Sequence, residues 1–330
     1  MRECVTLSGA VSDEIMMSVE NSPDWFDRAL QIEAEDAFVE VQNCKIHYVA
    51  WGKVGLPGVL LIHGSNAHLE WWRFVAPFLA DQFRVVAVDL SGHGDSGWRT
   101  NYSGELFSQE IMAVCEAAQL GEKPFLVAHS FGGFVGLETG HRFGDQLGGI
   151  IFADFTVEPP ERYVEWGRKA ELRDGEPARS TRIYPAKEEA LARFRFIPEQ
   201  PCKHPYVVDF ISHQSLRSVE GGVTWKFDPG MFDFLEMGVD QRDKFVSLKC
   251  RSAVLLGEYS TDEGALAAPY MREITAGILP IFTIPESYHH FMLDEPLATV
   301  TAIKGILLTW IYSDQQDEMN EGLQKQFGAL

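Results

Sequence analysis

A chain of 330 residues, 45% of them apolar and 12% aromatic, holds enough material for one large α/β unit with an insertion or for two to three average domains. Its formal charge of −20, with no basic cluster, argues against nucleic acid and anionic membrane surfaces as partners. The five scattered cysteines (Cys4, Cys44, Cys115, Cys202 and Cys250) form no C-x-x-C pair, which speaks against a disulfide framework or zinc site and for a reducing compartment. The N-terminus lacks a basic region followed by an apolar core, and no run approaches a membrane span in length. A soluble, cytoplasmic monomer or homodimer acting on a small molecule is the expectation.

Residues 1 to about 22 are weakly patterned. Ser22-Pro23-Asp24-Trp25 reads as a helix start with Pro23 near its first position. The short helix it opens is expected to pack outside the main domain or to act as a lid. Phe38–Val41 and Lys45–Ala50 alternate across Gln42-Asn43-Cys44 as an antiparallel hairpin. Val59-Leu60-Leu61-Ile62 is a continuous apolar run suited to a sheet covered on both faces, and it ends at His63-Gly64-Ser65-Asn66. A helix over 71–79 follows, then a buried strand over 84–88 ending in Asp89-Leu90-Ser91-Gly92-His93-Gly94-Asp95-Ser96, then a helix over 107–120.

Phe125-Leu126-Val127-Ala128-His129 runs as a buried strand into Ser130, and Phe131-Gly132-Gly133-Phe134 opens a helix. This is the pattern of a nucleophile elbow, G-x-S-x-G, with alanine in place of the first glycine. Its alternative, a phosphate-binding strand-to-helix turn, would carry G-x-G-x-x-G, which is missing here. Gly149–Ala153 supplies the next strand, ending at Asp154. Strand and helix therefore alternate from 59 to 154 at βαβ intervals, which predicts a doubly wound, mostly parallel sheet.

From about 156 the character changes. Pro159, Pro160, Pro177, Pro185, Pro198, Pro201 and Pro205 interrupt short helical stretches rich in Trp, Tyr, Phe and Arg, and no good strand appears before 252–257. Such an insertion at the carboxyl edge of a sheet commonly roofs the ligand crevice. A last strand at 281–284, a closing amphipathic helix over 296–312 and a polar, frayed tail complete the chain.

From about 36 to 312 the sequence resembles the α/β-hydrolase family, on four motifs in order: His63-Gly64, Asp89 to Ser96, Ala128-His129-Ser130-Phe131-Gly132, and Ser287-Tyr288-His289-His290 seven residues ahead of Pro296. The resemblance implies an α/β fold, a doubly wound, mostly parallel sheet with an inserted helical cap. The expected divisions are an N-terminal extension over 1–35, a core over 36–155 and 246–315, a cap over 156–245 and a tail over 316–330. It implies Ser130 as nucleophile and His289 as base, with His290 a loop or core residue.

The family's usual acid position, in G-x-x-D, here reads Gly257-Glu258-Tyr259-Ser260. Relatives with this departure place the acid one strand earlier, at Asp154. Asp262 is the runner-up and Glu258 the third choice. Asp228 reads as a turn or a contact between cap and core. The resemblance assigns the oxyanion hole to the backbone N–H groups of Phe131 and Ser65, with Asn66 as the alternative. His63, Asn66, His129, Trp166 and Trp225 are pocket candidates, with His63 also bracing its loop. No metal and no cofactor are expected. The implied activity is a serine hydrolase acting on a small to medium, largely apolar carboxylic ester. A C–C bond, lactone or thioester hydrolase using the same residues is the alternative, and a ligand-binding relative with little turnover is the non-enzymatic one.

Overall fold

The computed structural model describes residues 22–164, 181–236, 240–260 and 264–327. An eight-stranded sheet organises them. In chain order its strands are β1 (Glu35–Val41), β2 (Cys44–Trp51), β3 (Gly58–Ile62), β4 (Arg84–Val88), β6 (Phe125–His129), β7 (Gly149–Ala153), β11 (Arg251–Gly257) and β12 (Ile281–Ile284). They lie in the order β1-β2-β4-β3-β6-β7-β11-β12. The β1–β2 and β2–β4 pairs are antiparallel and every other pair is parallel. All five residues of β3, β4, β6 and β7 are buried, which is why each reads as an unbroken apolar run rather than an alternating one.

Two apolar cores cover the two faces. One packs α2 (Gly104–Ala117), α3 (Phe131–Phe143) and, through Ala268 and Met271, α7 (Gly264–Ile274) on the sheet. The other gathers α1 (Asp24–Leu30) and, near the end of the chain, α9 (Pro296–Phe327). The short α1 is thus part of the core, not a lid outside it. Phe26 is fully buried against Phe74, Tyr206 and Phe210, because an aromatic side chain on so short a helix gains more from burial than the helix gains from its own hydrogen bonds.

The helix expected over 71–79 is two separate 3-10 turns, Leu69–Trp71 and Ala76–Phe78. Pro77 has no N–H to continue a helix, and the Leu69 amide is taken by the Asp89 carboxylate at 2.7 Å. The helix expected over 107–120 is α2, displaced toward the N-terminus because Ser103 caps it, its Oγ accepting from Leu106 N at 3.2 Å.

Helix α9 continues to Phe327, where the sequence suggests a frayed tail. Residues 313–321 contain no proline or glycine, and Arg251 reaches across from β11 to pair with Asp314 and to donate to the Trp310 carbonyl at 2.8 Å. By length and composition its Pro296–Gln316 stretch could cross a membrane, contrary to the reading that no run is long enough. Here Val300, Ile303, Ile306 and Leu307 of that stretch are buried in the second core.

Between β7 and β11 the insertion carries α4 (Lys187–Leu191), α5 (Pro205–Gln214) and α6 (Gln241–Val246). It also carries a hairpin, β8 (Leu216–Val219) with β9 (Gly222–Trp225), and the short β10 (Leu235–Glu236), where the sequence shows only helical stretches. Strand β10 pairs with β5 (Tyr102–Ser103), so part of the insertion is held by main-chain bonds. Asp228 is both a turn and a bridge: its Oδ1 accepts from Gly230 N, its amide donates to Gly92 O, and its Oδ2 accepts from Tyr102 Oη at 2.7 Å.

Candidate active site

Ser130 occupies the turn between β6 and α3 with φ 52° and ψ −119°, a strained backbone for a residue with a Cβ. The strain lifts its side chain out of the sheet while the chain reverses into the helix. The close approach this requires is visible at Gly132, where a Cβ would lie 2.6 Å from the His63 carbonyl oxygen. The alanine that replaces the elbow's first glycine is accommodated from the helix side. Its methyl lies 2.9 Å from where a Cβ on Gly136 would stand, so the helix supplies the missing space.

Next door, at the end of β7, Asp154 also has a positive φ, 45°, and no solvent exposure. Its backbone amide donates to Leu255 O at 2.7 Å and its carboxylate turns toward the loop that follows β12. His289 on that loop completes a continuous chain: its Nε2 lies 2.8 Å from Ser130 Oγ and its Nδ1 lies 3.0 Å from Asp154 Oδ1. Two further donors reach the same carboxylate, Ser260 Oγ to Oδ1 at 2.5 Å and Gly257 N to Oδ2 at 2.7 Å. A fully buried carboxylate requires such donors. The serine of G-x-x-S therefore does not stand alone: it donates to the acid that lies one strand earlier.

The structure thus brings Ser130, His289 and Asp154 together. Asp262 lies outside the described residues, as does Trp166. Glu258 turns elsewhere and accepts from Glu286 N at 2.7 Å. Trp225 packs edge-on against Tyr184 and tilted against Phe194 inside the insertion, and among the described residues its ring contacts reach His290 through Phe194 and Phe196. The residues whose rings border Phe131 are Phe107, Phe134, His93 and the half-exposed Phe232.

The loop after β3 lies against the serine. A Cβ on Gly64 would be 3.1 Å from Ser130 Cβ, and Ser65 and Asn66 are half-buried, with Asn66 at φ 55°. His63 braces this loop: its Nδ1–H donates to Gly64 O at 2.7 Å and its Nε2 accepts from Leu90 N at 3.1 Å. Burial lowers its pKa and keeps it the neutral tautomer those bonds need. The loop's far end is tied by the amide of Leu69 to Asp89, whose other oxygen accepts from Asp95 N and pairs with His47. The Asp89–Ser96 turn is thus a support for the loop beside Ser130.

Two further histidines pack here. His129 Nε2–H donates to the His289 carbonyl at 3.0 Å, and burial drives its pKa well below the ordinary value, with the neighbouring His289 adding to the shift. His290 is buried among Trp71, Phe196 and His129, and burial again depresses its pKa strongly. His129, His289 and His290 bring ring nitrogens within 4.8 Å of one another, as do the donor atoms of His47, Asp89 and Asp95. In the first group both nitrogens of His289 and Nε2 of His129 already make hydrogen bonds, so a metal there would have to break the chain to Ser130.

Comparison with known proteins identifies the family of the fold. A family model described as the alpha/beta hydrolase family matches residues 59–303. Esterase Rv0045c of Mycobacterium tuberculosis is 26% identical over 281 residues, covering 82% of this chain and 88% of its own. A monoacylglycerol lipase of Xenopus laevis is 35% identical over 117 residues, 34% of either chain. Among solved structures, an E-2-(acetamidomethylene)succinate hydrolase superposes with a TM-score of 0.69 at 19% identity, covering 83% of this chain and 99% of that one. With the model spanning well over half its length, and an eight-stranded, mostly parallel sheet carrying Ser130 at a strand-to-helix turn, this chain belongs to the alpha/beta hydrolase family.

Proposed function

We propose that the protein is a serine hydrolase of the carboxylesterase type, with Ser130 as nucleophile, His289 as base and Asp154 as the acid that orients it. The observation that carries this reading is the continuous hydrogen-bonded chain from Ser130 Oγ through His289 to Asp154, at 2.8 and 3.0 Å, starting from a serine held at φ 52°. In this mechanism Ser130 Oγ bonds to the ester carbonyl carbon as its proton passes to His289 Nε2. The tetrahedral intermediate expels the alcohol, which takes that proton from His289, and an acyl-enzyme remains. Water then attacks the acyl carbon with His289 again as base, releasing the acid and restoring Ser130. Asp154 keeps Nδ1 protonated, so Nε2 faces the serine with its lone pair, and offsets the charge the imidazole acquires.

The negative oxygen of the intermediate is assigned to two backbone donors. Phe131 N is the first amide of α3, where no preceding turn exists to accept from it. Ser65 N, with Asn66 N as the alternative, is the second, on the loop that touches Ser130. The aromatic surroundings at Phe131, Phe134 and Phe232 favour a small to medium apolar acyl or alcohol group. Every group in this chemistry comes from the chain, so turnover should survive exhaustive chelation.

The test is hydrolysis of p-nitrophenyl esters from acetate to decanoate by the wild type and Ser130→Ala, together with fluorophosphonate labelling. Serine-dependent turnover with a chain-length optimum is the expected result. Labelling at Ser130 without ester turnover would move the bond type to a lactone, thioester or C–C substrate. Neither labelling nor turnover would leave the protein a ligand-binding relative.

A further inference from the structure

The backbone around His289 is fixed on three sides, and one of the groups that fixes it comes from the insertion. The His289 carbonyl accepts from His129 Nε2–H at 3.0 Å. The amide before it, Tyr288 N–H, donates to Asp294 Oδ2 at 2.8 Å. The amide after it, His290 N–H, donates to Gln200 Oε1 at 2.8 Å. Gln200 Nε2–H then donates to the same Asp294 Oδ2, at 3.0 Å. A side chain from the insertion and a side chain from α8 (Phe291–Asp294) thus close a clip around residues 288–290.

We propose that Gln200 is a positioning residue for His289, so that the placement of the base against Ser130 is set in part by the insertion. This rests on the serine-hydrolase reading above and extends it. Two considerations separate this from mere docking. The clip uses both ends of an amide, an acceptor facing a backbone N–H and a donor facing a carboxylate, and among side chains of this length only glutamine offers both without a shared proton. Docking of the same segment is served separately by Lys203, which reaches Glu286 at 3.1 Å and Glu295 at 2.9 Å on the exposed side. Asp294 is fully buried, its Oδ1 has no hydrogen-bond partner among the described residues, and burial raises its pKa despite the Tyr288 amide, Lys203, Gln200 and His204. Gln200 is therefore one of few groups holding that carboxylate in place.

The experiment compares kcat and KM of wild type, Gln200→Leu, Gln200→Glu and Lys203→Met on one p-nitrophenyl ester across pH, with thermal melts as a fold check. A base displaced by a fraction of an ångström should lower kcat roughly 10- to 100-fold in Gln200→Leu with KM little changed. Gln200→Glu keeps the acceptor for His290 N but sets two carboxylates face to face. They can share a proton at low pH and must separate when both ionise, so its kcat relative to wild type should fall as pH rises, while the deficit of Gln200→Leu should be even across pH. Lys203→Met should keep kcat within about twofold, as exposed ion pairs contribute little. Equal kcat in wild type and a folded Gln200→Leu would overturn the inference, as would an equal loss in Lys203→Met. Should Gln200→Leu fail to fold, the pH trend of Gln200→Glu decides. If the wild type shows no Ser130-dependent turnover, the underlying functional reading fails instead, and that outcome is distinct.

Discussion

Ser260 donates its hydroxyl proton to Asp154 Oδ1 at 2.5 Å, joining the loop after β11 to the end of β7. The serine occupies the place where G-x-x-D would put an acid, and the carboxylate it contacts is the one that holds His289. The two strand ends are neighbours in the sheet, so an acid from either can reach the same imidazole.

Under the proposed mechanism Asp154→Asn should lower kcat by about 10³- to 10⁴-fold, since an amide at this place favours the wrong tautomer of His289. The double variant Asp154→Asn/Ser260→Asp returns a carboxylate to the same neighbourhood from the adjacent strand. It should recover at least roughly tenfold of the lost kcat, a modest share of what correct tautomer and orientation are worth. Steady-state kinetics of the pair decide this, and a double variant no better than Asp154→Asn would show that the β11 position cannot reach the imidazole.

Ser260→Ala leaves Asp154 with its Gly257 and His289 donors but removes one partner from a fully buried oxygen. Losing a hydrogen bond to a charged group costs about 1.5–3 kcal/mol. A fall in urea-unfolding free energy of that order is expected, with a smaller loss of kcat than Asp154→Asn causes.

Gly136→Ala would press a methyl onto Ala128 Cβ, 2.9 Å from the position the new atom must take. Overpacking of this kind costs about 1–3 kcal/mol. Ala128→Gly in the same chain should restore most of it, because the two positions share one space. Chemical denaturation of the two single variants and the double variant measures the coupling, and additive losses would contradict this packing account.

His47 lies between Asp36 and Asp89, 3.2 Å and 2.7 Å away. Burial opposes its protonation, but the two carboxylates outweigh burial and raise its pKa to about 10. A raised pKa means that its stabilising charge is fully present below the unfolded value near 6.5 and is lost as pH climbs through about 10. Unfolding free energy should therefore decline between roughly pH 6.5 and 10. His47→Phe should be less stable at pH 6 by about 3 kcal/mol, having left Asp89 without its cation, and should show a shallower slope over that interval. Equal slopes in the two proteins would assign the pH dependence to other groups.

Much of the architecture was legible because its signals are local. Fully buried parallel strands must be unbroken apolar runs, so β3, β4, β6 and β7 stand out, and a serine between such a strand and a glycine-rich helix start marks the turn at 130. What the sequence suggested least well were elements whose existence depends on a distant partner. Nothing near 24–30 shows that Phe26 fills a core built by Phe74 and Phe210, and nothing near 235 shows that it pairs with Tyr102.

The residue types at the site were a property of the sequence alone: a serine at the elbow, a histidine seven residues before Pro296, and an acid missing from G-x-x-S. Their meeting was decided by tertiary structure. Ser130 and His289 lie 159 positions apart and come within hydrogen-bonding distance only because parallel strands end on one edge of the sheet, where their loops converge. The choice of Asp154 over Ser260's position, the room that Gly136 leaves for Ala128, and the clip that Gln200 closes around His289 all follow from distances between segments. No local pattern encodes such distances, since the energy of a buried contact depends on which surfaces the fold brings together.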